Sequence, residues 1–227
     1  MFNPKLLKKR VEKRVTERPE NSHHYVNEES ILCVEGFPRS GNTYLLGFFL
    51  FYKSMMNSLE RIGHHTHDIL NFQYSVALGI PTYVCVRAPE DAVSSALVYL
   101  NEEPSSLVEK YCEFYLSAWR LRESLRFVFF EQVTEGVRGI VEAVSCCDKV
   151  SSRPPETYDS EISQWISECG ESRFAEAANR KSSVPHDERS ALLEAKRKIV
   201  MASPAFSKAF AIYRKILYSY GSFSDIK

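Results

Sequence analysis

The chain has 227 residues, 44% of them hydrophobic, a length that suits one domain with a sizeable core better than two complete domains. Its 29 basic and 29 acidic residues balance, so the overall charge gives no reason to expect nucleic acid as a partner. The six cysteines lie mostly in apolar runs and lack metal-ligand spacing, which predicts reduced core thiols. No secretory signal is evident, and no apolar run approaches the roughly 20 residues that span a bilayer, so we expect a cytoplasmic protein.

Residues 1–29 are rich in charge and poor in apolar periodicity. The basic residues between positions 8 and 14 could form an arm that binds a membrane or nucleic acid, but acidic residues are interspersed with them. We therefore interpret residues 1–29 as a charged N-terminal leader, or a short helix on the domain surface, and residues 30–227 as a single domain.

A strand, a loop and a helix are predicted next. Residues 31–34 are a short apolar run typical of a buried strand, and residues 42–59 are apolar on nearly all faces, as in a helix buried against a sheet. Between them, Gly36 and Gly41 have the spacing of the phosphate-binding loop GxxxxGK(S/T), in which backbone N–H groups and the helix N-terminus bind an anion. The sequence therefore predicts an anion site at the start of the helix.

The residue types from Phe37 to Tyr44, FPRSGNTY, resemble the 5′-phosphosulfate loop of sulfotransferases, whose pattern is roughly YPKSGTTW. Arg39 replaces the commoner lysine, and Asn42 replaces the first threonine. The resemblance implies a three-layer, P-loop-like α/β domain with a mainly parallel central sheet flanked by helices and a helical C-terminal third. It also implies that the donor is 3′-phosphoadenosine 5′-phosphosulfate (PAPS), bound without a metal by Arg39, Ser40, Gly41, Asn42, Thr43 and Tyr44.

Residues 63–68, GHHTHD, form the densest polar cluster in the chain. They could bind a metal ion, but His64, His65 and His67 are too close in sequence to give three well-directed ligands from one loop, and no second Cys or His cluster completes a set. In sulfotransferases a Lys-Thr-His segment at a comparable position supplies the catalytic base, so the resemblance implies that His67, after Thr66, is the base. A core or capping histidine is the alternative, and His64 and His65 stay open as rival bases.

Residues 82–86, TYVCV, predict a second buried parallel strand, and ligands bind at the C-terminal ends of such strands. Arg87 stands at that end, and Pro89 with two acidic residues predicts the first turn of a helix. Arg87, Asp91 and Ser95 match the sulfotransferase 3′-phosphate pattern, roughly RxxxDxxxS, so the resemblance implies that Arg87 and Ser95 bind the 3′-phosphate. An acid in a first helical turn is ordinary capping chemistry, and we do not place Asp91 on the ligand.

One more strand and several helices follow. Residues 127–130 predict a third buried strand, and Glu131 after it resembles the FYE-type strand end of sulfotransferases, where it would order the site. The helical spacing of the aromatic residues predicts that they belong to the core rather than to an acceptor site. Residues 151–159, with two prolines, predict a loop. Helices are predicted at residues 105–125, 136–147, 162–178, 187–201 and 204–220.

Arg180 and Lys181 lie where the helical pattern of the last third breaks. In sulfotransferases an Arg-Lys-Gly segment late in the chain closes over the 3′-phosphate, and the resemblance implies this role for Arg180 and Lys181. Ser182 stands in place of the glycine, and a solvated helix C-terminus is the alternative.

Together these motifs predict in-line transfer of a sulfuryl group from PAPS to a hydroxyl or amine of a small-molecule or carbohydrate acceptor. The resemblance implies that Arg39 stabilises charge on the departing phosphate oxygen and that His67 accepts the acceptor proton. A P-loop nucleotide kinase and a nucleotide-binding module without catalysis are the alternatives. Asn42 and Arg87 argue against the kinase, because they stand where it needs a lysine and an Mg²⁺-binding aspartate.

Overall fold

The structure, a computed structural model, describes residues 3–98, 100, 102–144, 156–173 and 187–221. Within these residues four parallel strands form one sheet in the order β2-β1-β3-β4. Their bounds are Leu32–Gly36 (β1), Ile62–His64 (β2), Thr82–Val86 (β3) and Arg126–Phe129 (β4). Because all four strands run in the same direction, their C-terminal ends meet at one edge, where ligands bind in open α/β sheets.

Helices cover both faces of this sheet, and alternate strand residues enter the core on opposite sides. Val84 belongs to the core under one face, and Cys85 to the core under the other. The first face carries α1 (Pro4–Glu17), α3 (Ile69–Ala77), α4 (Pro89–Leu97), α5 (Pro104–Arg120), α9 (Asp187–Met201) and α10 (Phe206–Tyr220). The second carries α2 (Asn42–Phe51), α7 (Val137–Val144) and α8 (Glu156–Arg173), while the short α6 (Phe130–Thr134) directly follows β4. The predicted three-layer α/β architecture is confirmed.

The N-terminal segment is joined to the first face. In α1, Leu7 and Val11 are buried in the core that α3 helps to form, and the rest of the helix is largely exposed. A 3₁₀ turn, Pro19–His24, then brings the chain to the sheet edge beside β2. No helix among the described residues combines the length and the apolarity that crossing a membrane requires.

Strand β2 was not predicted, and it places the first histidine of the cluster in the sheet instead of in a loop. It has only three residues, too few for a period-two pattern, and includes a glycine and a histidine. Pairing with β1 makes it a strand, with Val34 opposite His64. The histidine cluster therefore begins at the C-terminal end of a strand next to the phosphate loop.

Several predicted boundaries were wrong. Helix α5 ends at Arg120 instead of near residue 125. Helix α2 ends at Phe51 instead of near residue 59, because Ser54 adopts a left-handed φ of 56° that an α-helix cannot continue through. Residues 156–159, predicted as part of a loop, form the start of α8. The remainder of that loop, residues 151–155, and the predicted helical residues 145–147 and 174–178 lie outside the described part of the chain.

Candidate functional site

The loop between β1 and α2 depends on close backbone approach and on left-handed residues. A Cβ at Gly36 would lie 2.3 Å from Asn42 Oδ1 and 2.8 Å from the Cys85 carbonyl oxygen, so only glycine fits there. Gly41, the residue before α2, has a φ of 97°, and Arg39 has a φ of 68°. The loop therefore folds back over the start of α2, as the phosphate-loop spacing predicts.

Two loop side chains predicted to bind the cofactor point inward and brace the loop. Ser40 is fully buried, and its Oγ lies 3.2 Å from the Tyr115 hydroxyl, which donates to the Cys85 carbonyl at 2.7 Å. Asn42 Nδ2 donates to the carbonyls of Gly36 and Phe37, both at 3.3 Å. Asn42 thus closes the loop with its amide group, whereas a lysine at this position would extend a charge towards a phosphate.

Tyr44, the last residue of the motif, lies on α2 and joins it to α8. Its hydroxyl donates to the Asp159 carboxylate, which also accepts a bond from the Val137 backbone N–H at 2.9 Å. Burial raises the pKa of Tyr44 well above its ordinary value, and the hydrogen bond and charge of Asp159 add to this effect. The phenol therefore stays neutral and acts as a donor that joins α2, α7 and α8.

Thr43 stands at the end of a chain of histidines. Its Oγ1 lies 2.9 Å from His65 Nε2, and His65 Nδ1 lies 3.0 Å from His64 Nδ1. His64 Nδ1 in turn lies 3.2 Å from His24 Nδ1. These contacts join the rings in a hydrogen-bonded row. Among the described residues no group of three or more His, Cys, Asp or Glu side chains could hold a metal ion. The row holds the threonine hydroxyl at the helix start.

The second sequence motif meets the loop directly. Arg39 Nε donates to Ser95 Oγ at 3.2 Å, and Arg87 Nη1 donates to the Arg39 carbonyl at 2.9 Å. The Tyr111 hydroxyl donates to the Arg87 carbonyl at 2.7 Å, so a core aromatic residue fixes the end of β3. Three of the residues predicted from two separate motifs therefore lie in one cluster.

Arg87 is the most constrained cation of this cluster. Its guanidinium lies 3.8 Å from the centre of the Phe130 ring, and its Nε is buried without a hydrogen-bond partner in the described structure. Burial lowers the pKa of Arg87, while the charges of Asp91 and Glu131 raise it. A buried guanidinium donor that lacks an acceptor is suited to an anion.

Asp91 has a partner within the protein. Arg197 on α9 contacts its Oδ1 at 2.6 Å through Nη2 and at 2.8 Å through Nε. This ion pair joins α4 to α9. Arg180 and Lys181, the remaining predicted cofactor-binding residues, lie outside the described part of the chain.

His67 has the geometry of a base with one engaged and one unengaged ring nitrogen. Its Nδ1 lies 2.7 Å from the Gly36 carbonyl oxygen, which only accepts hydrogen bonds, so Nδ1 carries the proton. No hydrogen-bond partner of Nε2 is present among the described residues, and this nitrogen holds the lone pair of the neutral ring. His65, by contrast, has both ring nitrogens in contact with other side chains. Of these two histidines, His67 is the better placed to accept a proton.

Glu35 is a site residue that the sequence interpretation missed. It lies on β1, is fully buried, and accepts hydrogen bonds from Thr66, His67 and Asn71. Burial raises its pKa, and the His67 charge and the Asn71 and Thr66 hydrogen bonds act in the opposite direction. An acidic residue directly after the apolar run 31–34 was the signal that could have identified it. Tyr115, His24 and Arg197 gave no comparable signal, because their partners are distant in sequence.

Comparisons with protein-family models, with curated proteins and with solved structures give no match for this chain.

Proposed function

We propose that the protein is a PAPS-dependent sulfotransferase acting on a hydroxyl or amine of a small-molecule or carbohydrate acceptor. The observation that carries this proposal is the contact between its two motifs: Arg39 Nε lies 3.2 Å from Ser95 Oγ, and Arg87 Nη1 donates to the Arg39 carbonyl. Two arginines that follow β1 and β3, and a serine on α4, thus lie together. PAPS carries phosphates at both ends of its ribose, and such a paired anion needs donors from two elements.

In the proposed reaction the bond from sulfur to the 5′-phosphate oxygen breaks as the acceptor oxygen bonds to sulfur. Arg39 and the start of α2 stabilise the charge that develops on the departing phosphate oxygen. Nε2 of His67 takes the acceptor proton, since Nδ1 already donates to Gly36. Arg87 and Ser95 hold the 3′-phosphate and so fix the donor in line with the acceptor. Adenosine 3′,5′-bisphosphate is the second product.

The residues of the site support a kinase less well. A P-loop kinase uses the loop lysine on the phosphates and the following hydroxyl on Mg²⁺. Here Asn42 donates to two loop carbonyls, and the Thr43 hydroxyl contacts His65. Arg87, a cation, follows β3 where the kinase has its Mg²⁺-binding aspartate.

Thermal unfolding with different nucleotides tests this proposal. PAPS and adenosine 3′,5′-bisphosphate should stabilise the protein without Mg²⁺, by about 2.7 kcal/mol at one hundred times the dissociation constant. Labelled sulfate should then pass from PAPS to members of a panel of hydroxyl and amine acceptors. Equal stabilisation by ATP with Mg²⁺ would favour the kinase instead. Stabilisation by PAPS without transfer to any acceptor would identify a binding module.

A further inference from the structure

A single buried carboxylate holds the whole turn that carries His67. Glu35 Oε1 accepts from the Thr66 backbone N–H at 3.0 Å, from Thr66 Oγ1 at 2.7 Å and from Asn71 Nδ2 at 2.8 Å. Its Oε2 accepts from the His67 backbone N–H at 3.0 Å. A fully buried charge is retained only when its oxygens are well satisfied, and here four donors surround it. The carboxylate is therefore built into this turn.

The turn needs such support because its backbone is strained. His65 and His67 have φ values of 54° and 51°, in the left-handed region that residues with a side chain seldom adopt. Two consecutive N–H groups, those of Thr66 and His67, point at one carboxylate and fix the chain between these residues.

Neighbouring residues of β1 hold the two parts of His67. Glu35 accepts its backbone N–H, and the Gly36 carbonyl accepts its ring Nδ1–H at 2.7 Å. The bond to Glu35 fixes the backbone position of His67. The bond to Gly36 fixes which ring nitrogen is protonated. Together they direct the unprotonated Nε2 away from β1.

We propose that Glu35 is a positioning residue for His67: by holding the His67 backbone it places ring Nδ1 on the Gly36 carbonyl, so that the tautomer with an unprotonated Nε2 is kept for the acceptor proton. This inference rests on the proposed function, in which His67 is the general base. The carboxylate never touches the substrate and acts only through His67.

A double-mutant cycle tests this inference. Glu35→Gln keeps the size of the side chain, but its amide nitrogen cannot accept a backbone N–H, so at least one bond to the turn is lost. With acceptor saturating, we expect turnover to fall about 10- to 100-fold, as for the loss of a bond to a charged group. The dissociation constant of adenosine 3′,5′-bisphosphate should stay within about twofold, because the arginines that bind it are unchanged.

The decisive measurement is the same substitution in a His67→Ala background. If Glu35 acts through His67, Glu35→Gln should cause no further loss there. The same fold loss in both backgrounds would overturn the inference, as would a parallel loss of turnover and nucleotide affinity. Thr66→Val is the milder variant, because it keeps both backbone bonds to Glu35 and removes only the hydroxyl, which donates to Glu35 and accepts the Asp68 backbone N–H. It should show a smaller loss with the same dependence on His67, and it carries the test if Glu35→Gln does not fold.

Nitrogen NMR of the His67 ring gives a readout that does not require activity. The wild-type neutral ring should be protonated at Nδ1, and Glu35→Gln should mix the two tautomers. A wild-type ring protonated at Nε2 would overturn the inference even in an active enzyme. A wild-type protein that binds no nucleotide and transfers no sulfate, yet has the Nδ1–H tautomer, would instead overturn the proposed function.

Discussion

Replacing Arg87 by alanine is the sharpest test of how the donor is oriented. Arg87 Nη1 is engaged with the Arg39 carbonyl at 2.9 Å, while its buried Nε has no hydrogen-bond partner in the described structure. Of the three guanidinium nitrogens, this buried Nε is the one we expect to donate to the 3′-phosphate. The stacking of the guanidinium 3.8 Å from the Phe130 ring centre fixes its plane in advance, so little entropy is lost on binding.

The expected magnitude follows from that one bond. A hydrogen bond to a charged group contributes about 1.5–3 kcal/mol, and about 1.4 kcal/mol is a factor of ten. Arg87→Ala should therefore weaken adenosine 3′,5′-bisphosphate binding roughly tenfold to 150-fold. Adenosine 5′-phosphate, which lacks the 3′-phosphate, should lose much less affinity.

Isothermal titration calorimetry with both nucleotides measures the two losses. Ser95→Ala should show the same selectivity with a smaller loss, and Arg87→Lys should be intermediate because it keeps the charge but not the planar fork. Thermal unfolding of each free variant controls for a folding defect. If both nucleotides lose affinity equally, Arg87 has a structural role and the proposed donor orientation is wrong.

Three further substitutions test the loop and the base. His67→Ala should lower turnover about 10²–10⁴-fold with little change in donor affinity. His65→Ala should weaken donor binding, because it removes the partner that orients the Thr43 hydroxyl. Kinetics at saturating acceptor and separate donor titrations measure both effects, and the reverse pattern would move the base to His65. Gly36→Ala should destabilise the fold by about 1–3 kcal/mol in urea unfolding, since its Cβ would lie 2.3 Å from Asn42 Oδ1, and a variant as stable as the wild type would contradict this close approach.

Local sequence patterns predicted three of the four strands. Each of β1, β3 and β4 is a short apolar run, and the predicted residues 82–86 are the observed bounds of β3. Buried parallel strands need apolar side chains on both faces, so they leave this signal in the sequence itself. The glycine spacing of the phosphate loop is local in the same way, because Gly41 and Arg39 take left-handed conformations within a single turn.

The composition of the candidate site depended on tertiary contacts that no local pattern contains. Arg39 and Ser95 are 56 positions apart and meet because β1 and β3 are neighbours in the sheet. The short β2 exists only through its pairing with β1, and Glu35 acquires three donors from the turn that follows β2 and a fourth from Asn71 on α3. The sequence alone determined the fold class, the phosphate-loop motif and the anion-site hypothesis. Strand order and register, which set the distances between residues far apart in the chain, decided which side chains the loop, the histidines and Arg87 contact.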